Sequence, residues 1–227
     1  MKNIQIHISH EFIAQCPDFW GVAIQAIVKN SETAVLLWNE ITSVCEVIEK
    51  KHSTESLKEV SGIAATRMAY KKLGKDPSRY RPACEQLVRR VVQKKGIRTV
   101  GTLGDISNLV SLKYGYSTAA IDVEKLVGNS LTLGIGRKEE PYEGIGRGVL
   151  NIEHLPVYRD ALGGVATPTS DNIRTQTDQQ TSQLLFIINA YDGNRHTLEC
   201  STNETLRLLT DYAEASDVCI TYFQSHQ

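Results

Sequence analysis

The stretch that decides how this chain folds runs from residue 96 to residue 128 and reads GIRTVGTLGDISNLVSLKYGYSTAAIDVEKLVG. Its apolar side chains recur three and four residues apart, as on one face of a helix. They are Ile106, Leu109 and Val110. A helix is therefore predicted to begin at Thr102, with Asp105 completing a capping box, and to end at Gly115.

Helices and strands are also predicted on both sides of this stretch. Strands are expected where short apolar runs alternate or stop at turn residues, over 4–8, 20–28, 130–135, 149–152, 157–159, 184–190 and 218–223. Further helices are expected over 31–50, 63–73, 82–96 and 202–215, with Ser31 and Ser201 at N-terminal caps. Because helices and strands are mixed without regular βα alternation, the predicted class is α+β, a mixed sheet packed with helices.

The composition is that of an ordinary folded domain. The chain has 227 residues, of which 41% are hydrophobic, and a formal net charge of −1; this disfavours intrinsic disorder and permits a sizeable core. No apolar run approaches the ~18–20 residues that span a bilayer, and the alternating N-terminus does not resemble a signal peptide. Five widely spaced cysteines indicate reduced thiols in a cytoplasmic protein. The simplest organisation is one domain over residues 1–227 with no membrane contact.

Several common kinds of site lack their sequence signals. No CxxC, HExxH or GxSxG motif is present, so neither a metal nor another cofactor nor a classical serine hydrolase is predicted. His7 and His10 are expected on one strand, where a spacing of three puts them on opposite faces. The glycine clusters at 134–137 and 144–148 lack the Lys-Ser/Thr pair of a phosphate loop, which favours sharp turns between short strands.

Residues 79–98 form a basic block with seven Lys or Arg side chains and one acid, Glu85. Tyr80 lies among them and is a candidate for stacking on a base or sugar. The block suits salt-sensitive binding of nucleic-acid phosphates. The alternative is that it forms the solvated outer face of the helix that starts at Pro82.

Two groups of polar side chains are candidates for a pocket. Asp105 and Asn108 lie one turn apart on the predicted helix, and an asparagine amide offers a ligand both a donor and an acceptor. A hydrogen bond from Asn108 to a neighbouring loop is the alternative. Residues 167–172 read TPTSDN, which suits either a polar pocket wall or an exposed loop of capping residues.

Residues 96–128 resemble the core of the editing domain in the beta subunit of bacterial phenylalanyl-tRNA synthetase. The family's D-I-x-N-x-V motif is present at residues 105–110. Two flanking segments, DPSRYRPACEQLVRR at 76–90 and GGVATPTSDNIRTQT at 163–177, are similar to free-standing relatives of this domain, which are short cytosolic proteins. Together the similar blocks cover about half of the chain in family order.

The resemblance implies an α+β editing-domain fold with a pocket between helices and sheet, and hydrolysis of misacylated tRNA in trans. The mechanism expected on this basis uses a positioned water, with Asp171 as the catalytic base. The side chains expected to bind the substrate are Asn108, Asp105, Thr169 and Ser170. Those expected to hold phosphates of the tRNA acceptor end are Arg98, Arg79, Arg81 and Arg90.

Two family positions differ in this chain. In the synthetase the site cleaves tyrosine esterified to the phenylalanine tRNA, with a pocket histidine and a glutamate. The histidine falls on Ala119 here, and the glutamate falls near Thr169. Tyrosine specificity is therefore not part of the prediction.

The partners expected are the tRNA acceptor end and an amino acid or aminoacyl moiety, without DNA. Two other functions stay open from the sequence. One is a non-catalytic pocket that binds an amino acid, a small metabolite or an RNA 3′ end. The other is a domain that works only through a protein partner.

Overall fold

Two β-sheets and a layer of helices make up the fold in this computed structural model, which describes residues 2–225. The described α-helices are α1 (His10–Gln15), α2 (Val35–Lys51), α3 (Ser61–Leu73), α4 (Ala83–Val92), α5 (Thr102–Tyr114) and α6 (Arg195–Ala213). The described strands are β1 (Gln5–Ile8), β2 (Trp20–Ile27), β3 (Ser117–Asp122), β4 (Ser130–Ile135), β5 (Glu143–Gly144), β6 (Gly148–Val149), β7 (Pro156–Arg159), β8 (Gly164–Thr167), β9 (Ser170–Asp171), β10 (Gln183–Ala190) and β11 (Ser216–Gln224). Three 3-10 turns lie at Ser56–Glu59, Val123–Lys125 and Ile173–Thr175.

The central sheet is antiparallel, with the strand order β11-β2-β10-β3. Strands β2 and β10 are buried on both faces, which explains their nearly continuous apolar sequences. One face of this sheet packs against α2, α4, α5 and α6 around residues such as Val22 and Ile24. Its other face packs against the second sheet around residues such as Ala23 and Ile187.

The second sheet has the order β1-β4-β7-β8-β9 and is mixed, because β1 and β4 run parallel while the remaining pairs are antiparallel. Strands β5 and β6 form a separate hairpin. The molecule thus has three layers, helices over the central sheet over the second sheet, and the predicted α+β class is confirmed.

Two of the three helix ends predicted at glycines are confirmed. Gly74 and Gly115 follow α3 and α5 with φ of +91° and +70°, the left-handed conformation that glycine adopts without strain. The turn predicted around the second glycine cluster is also present, since Gly146 between β5 and β6 and Gly148 at the start of β6 have positive φ.

Several predicted helix caps and starts are wrong, because the side chains concerned form hydrogen bonds with other residues. Ser31 does not cap α2, which begins at Val35; its hydroxyl pairs with the hydroxyl of Thr102, 3.0 Å away. Thr102 consequently does not cap α5, whose N-cap is Gly101, although the helix begins at Thr102 as predicted. Helix α6 begins seven residues before the predicted start, because Asn194 accepts a hydrogen bond from the Thr197 N–H.

Other helix and strand boundaries also differ from those predicted. Helix α4 ends at Val92, before Gly96, and the strand predicted over 149–152 is reduced to Gly148–Val149. His10 belongs to α1 and not to a strand with His7. Strand β3 and helix α1 had no prediction.

No helix among residues 2–225 combines the length and the apolar content that crossing a bilayer requires.

Candidate functional site

A polar cleft of about 560 Å³ opens where the helical layer meets the ends of the two sheets. Helices α4 and α5 form one wall, β3 forms the floor, and β8–β9 with the β5–β6 hairpin form the other wall. Its lining residues are Ala83, Gln86, Leu87, Arg90, Ser107, Asn108, Thr118, Ile145, Gly146, Arg147, Thr167, Thr169, Ser170 and Asp171. Five residues predicted from the sequence are therefore brought together here: Arg90, Asn108, Thr169, Ser170 and Asp171.

Asp105 lies behind the cleft and not in its lining. It is fully buried, and its carboxylate accepts hydrogen bonds from the Thr33 hydroxyl and the Val100 N–H. Burial raises its pKa, and these hydrogen bonds oppose the rise. Its other contact is with the amide of Asn108, at 3.5 Å. The predicted substrate ligand is thus a group that holds the start of α5 and orients Asn108.

Asp171 ends β9 at the place where the two sheets meet. Its Oδ2 accepts a hydrogen bond from the Ala120 N–H of β3, 3.3 Å away. Burial raises the pKa of Asp171 to about 7, although the Ala120 hydrogen bond opposes the rise. A carboxyl group with this pKa is present in both protonation states near neutral pH, as a general base requires.

Thr169 and Ser170 line the cleft with hydroxyl groups that already have protein partners. The Thr169 hydroxyl pairs with the hydroxyl of buried Tyr70 at 2.9 Å. The Ser170 hydroxyl donates to the Ile145 carbonyl at 3.3 Å, which ties the β5–β6 hairpin to β9. Both side chains therefore shape the wall of the cleft more than they offer free groups to a ligand.

A cluster of three hydroxyl groups at the floor of the cleft was missed by the sequence analysis. Ser107 and Ser111 lie one turn apart on α5, and the Thr118 hydroxyl lies 2.6 Å from the first and 2.9 Å from the second. The i, i+4 spacing of the two serines was the available signal. This spacing does not by itself indicate a site, because the third hydroxyl comes from β3, which lies beneath α5.

Two arginines give the cleft its positive charge. Arg147 stands in the turn of the β5–β6 hairpin and donates to the side chain of Gln86, and burial lowers its pKa. Arg90 lies at the end of α4, where it donates to the carbonyls of Gly96 and Lys95 at 3.1 and 3.3 Å. Only the second was predicted to contact phosphate; the first lies in the glycine cluster at 144–148, which was predicted to form a sharp turn.

The other predicted arginines lie outside the cleft lining. Arg98 and Arg79 are exposed, and Arg79 lies 5.7 Å from the centre of the Tyr80 ring. Arg81 faces Glu85, with 3.9 Å between the charged atoms. Arg98 makes no ion pair with another described residue.

Glu85 explains why part of the basic block is not a solvated face. It is only 2% exposed and receives Arg67 at 2.8 Å, Arg89 at 3.1 Å and the more distant Arg81. The Arg67 contact links α4 to α3, whereas Arg89 and Arg81 pair with Glu85 one turn away along the chain. The block therefore divides into a structural ion-pair cluster around Glu85 and exposed cations at its two ends.

Ala119 is buried on β3 and packs in the apolar layer between the two sheets. The neighbouring Thr118 points the opposite way, into the cleft. Within residues 2–225, His, Cys, Asp and Glu side chains form no group of three that suits a metal ion.

An α+β domain with a polar, cationic cleft between its helices and sheets is the class that the geometry defines. The family model of the B3/4 domain matches residues 65–211, well over half of the chain. The chain therefore belongs to the B3/4 domain family, the domain found in the beta subunit of phenylalanyl-tRNA synthetase. Among curated proteins, none gives a significant match.

Proposed function

We propose that the cleft binds the aminoacylated 3′ end of a tRNA and hydrolyses its ester bond through a water molecule activated by Asp171. The observation that carries this proposal is the presence of Asn108 and Asp171 in one cleft, with the pKa of Asp171 raised to about 7. Membership of the B3/4 family supports the same function.

The chemistry needs a base, a positioned ester and a place for phosphate. The ionised Asp171 takes a proton from water, the water oxygen attacks the ester carbonyl carbon, and the bond to the ribose oxygen breaks. The proton then passes to that ribose oxygen, which leaves as a hydroxyl. The Asn108 amide orients the aminoacyl group, and Arg90 and Arg147 hold phosphates at the mouth. Positioning contributes much of the rate, since the ester is already activated.

A panel of mischarged tRNAs incubated with the purified protein tests this function. We expect one or more esters to be lost faster than in buffer, with Asp171→Asn slowing the loss by about 10²–10⁴-fold, the usual contribution of general-base catalysis. Asn108→Ala should slow it by about tenfold, the worth of one hydrogen bond. The matched control is Asp18→Asn, an exposed aspartate outside the cleft. Ester loss that is equal in the wild type, Asp171→Asn and buffer would refute the proposal.

A second candidate function is a pocket that binds an amino acid or an RNA 3′ end without cleaving it. Two observations favour it: a buried alanine, Ala119, stands where the family has a histidine, and the hydroxyls of Thr169 and Ser170 are already engaged. Thermal-shift measurements with amino acids and uncharged tRNA separate the two functions. A rise in melting temperature with intact esters indicates the binding pocket, whereas ester loss indicates the hydrolase.

A further inference from the structure

The two edges of the central sheet are not equally covered. At the β3 edge, Ile121 bridges to Gln176, and Asp171 accepts from the Ala120 N–H. At the opposite edge, β11 pairs with β2 and with no other described strand. The nine-residue strand β11 is therefore the open edge of this sheet.

The backbone of β11 presents a row of hydrogen-bonding groups to the outside. The Ser225 N–H donates to the Phe19 carbonyl, 3.1 Å away, at the end of the β11–β2 pair. Because antiparallel strands alternate the side to which their N–H and C=O groups point, the odd-numbered residues from Cys219 onward bond to β2. The groups of Ile220, Tyr222 and Gln224 then point away from the sheet. Such a row is a template for another strand.

The side chains of β11 do not protect this edge. Ile220 and Tyr222 share one face and are 41% and 37% exposed, and Val218 next to them is 43% exposed. Asp217 is the only charged residue of the strand, which contains neither Lys nor Pro, the residues that commonly protect a sheet edge. A bulge between Ser216 and Cys219 limits regular pairing to Cys219–Gln224.

We propose that β11 pairs with β11 of a second copy of this chain, antiparallel and about a twofold axis, so that the two central sheets become one sheet of eight strands. Pairing of a strand with its own copy is isologous, and such an interface closes at two subunits. With the axis at Thr221, Ile220 of one copy lies opposite Tyr222 of the other, and both are outward-facing. The apolar side chains then form one continuous strip across the interface.

The charge pattern of β11 suits a second copy as the occupant. Asp217, the one charged residue of the strand, lies four residues from the twofold axis at Thr221, so the two Asp217 side chains stay far apart in the pair. No like charges therefore oppose each other within the paired strands. The cleft lies at the far, β3 edge, so this assembly goes beyond the proposed function and leaves both clefts open.

Sedimentation velocity over a range of concentrations tests the dimer. We expect the wild-type chain to sediment as a concentration-dependent dimer and Ile220→Lys to weaken the dimer by about tenfold or more, because the charge is buried beside an apolar strip. The matched control is Val149→Lys, which places the same charge on a residue that is 93% exposed in the β5–β6 hairpin. A wild type that stays monomeric at every concentration, or equal effects of the two lysines, would overturn the proposal.

A crosslink fixes the register and does not depend on the folding of the lysine variant. In a Cys219→Ser background, Thr221→Cys places two cysteines directly opposite each other across the twofold axis, at a non-hydrogen-bonded position where side chains are closest. We expect mild oxidation to give a disulfide-linked dimer in high yield. The control, Val149→Cys in the same background, should crosslink only slowly. Equal crosslinking of the two variants would contradict the assigned interface.

Discussion

The carboxyl group of Asp171 serves both the fold and the proposed chemistry. As an anion it accepts the Ala120 N–H and can take a proton from water. Burial favours the neutral form, and this opposition sets the pKa at about 7. Asn108 also depends on a buried carboxylate, because Asp105 accepts a hydrogen bond from the Asn108 amide and orients it. The role of Asp171 can therefore be tested both by the rate of ester hydrolysis and by the free energy of unfolding.

The rate of ester hydrolysis should rise with pH as Asp171 loses its proton, with a midpoint near the pKa of about 7. The measurement is the initial rate of loss of a mischarged tRNA ester, corrected at each pH for loss in buffer. A corrected rate that does not change between about pH 5 and about pH 8 would exclude Asp171 as the base.

Asp171→Asn should change how stability depends on pH. An ordinary aspartate has a pKa of about 3.9 in the unfolded chain, and the pKa of Asp171 in the folded chain is higher, about 7. The stability that this raised pKa provides is fully present below about pH 4 and is lost as the pH rises toward about 7. The variant, which cannot ionise but can still accept from the Ala120 N–H, should therefore be more stable than the wild type at about pH 8, and this advantage should shrink at about pH 4. Urea unfolding at several pH values measures the difference; parallel pH curves for the two proteins would contradict it.

At the scale of helices and strands, the features that could be predicted are those that depend only on neighbouring residues in the sequence. Glycine at the ends of α3 and α5 was predictable, since only a residue without Cβ takes positive φ there freely. The caps were not, because the hydroxyls of Ser31 and Thr102 bond to each other across seventy residues of chain.

Strand β3 shows the same limit for the candidate site. Its sequence, Ser117–Asp122, consists mostly of small residues and lacks a run of β-branched or aromatic residues, so it gave no strand signal. It becomes a strand because β10 offers it a paired edge. Asn108 and the TPTSDN segment, which were predicted from the sequence, lie in the walls of the cleft. The floor with Thr118 could not be predicted, because it depends on the pairing of β3 with β10.

The contact between α3 and α4 should depend strongly on Glu85. Glu85→Gln leaves three arginines beside a buried amide, and we expect it to lower the free energy of unfolding by about 3 kcal/mol, as breaking a buried ion pair does. The measurement is equilibrium urea unfolding. The same substitution at Glu199, whose side chain is 42% exposed and pairs with Arg195 at 2.8 Å, should cost less than about 1 kcal/mol. Equal losses in the free energy of unfolding would show that the Glu85 cluster stabilises the fold no more than the Glu199–Arg195 pair does.

For the whole molecule, the net charge of −1 is an average over unlike parts. The first 60 residues carry eight acids and five bases, whereas residues 79–98 carry seven bases and one acid. The structure divides that basic block further, because Glu85 pairs with Arg89 and Arg81, and Arg90 donates to the carbonyls of Gly96 and Lys95. The cations left for a polyanion are Arg90 in the cleft lining and the exposed Arg79, Lys94, Lys95 and Arg98, a small set that suits contact with one RNA end.

Arg98→Ala should lower the affinity for tRNA and make binding less sensitive to salt. Arg98 is exposed and without an ion pair among residues 2–225, so its charge is available to a phosphate. Losing one phosphate contact should reduce the slope of log affinity against log salt by about 0.7–0.9. Filter binding at several salt concentrations measures the slope. Lys50→Ala, an exposed cation on α2, is the control and should leave the slope unchanged.

Strand β11 is attached to the molecule by little more than one side chain and its hydrogen bonds to β2. Only Phe223 of its nine residues is buried, and its ring occupies the space where Gly21 lacks a Cβ, since a Cβ there would lie 2.4 Å from the ring. The strand should consequently detach locally while the rest of the central sheet stays folded. In amide hydrogen exchange, we expect β11 to lose protection well before β10, and pairing with a second copy to slow that loss as protein concentration rises.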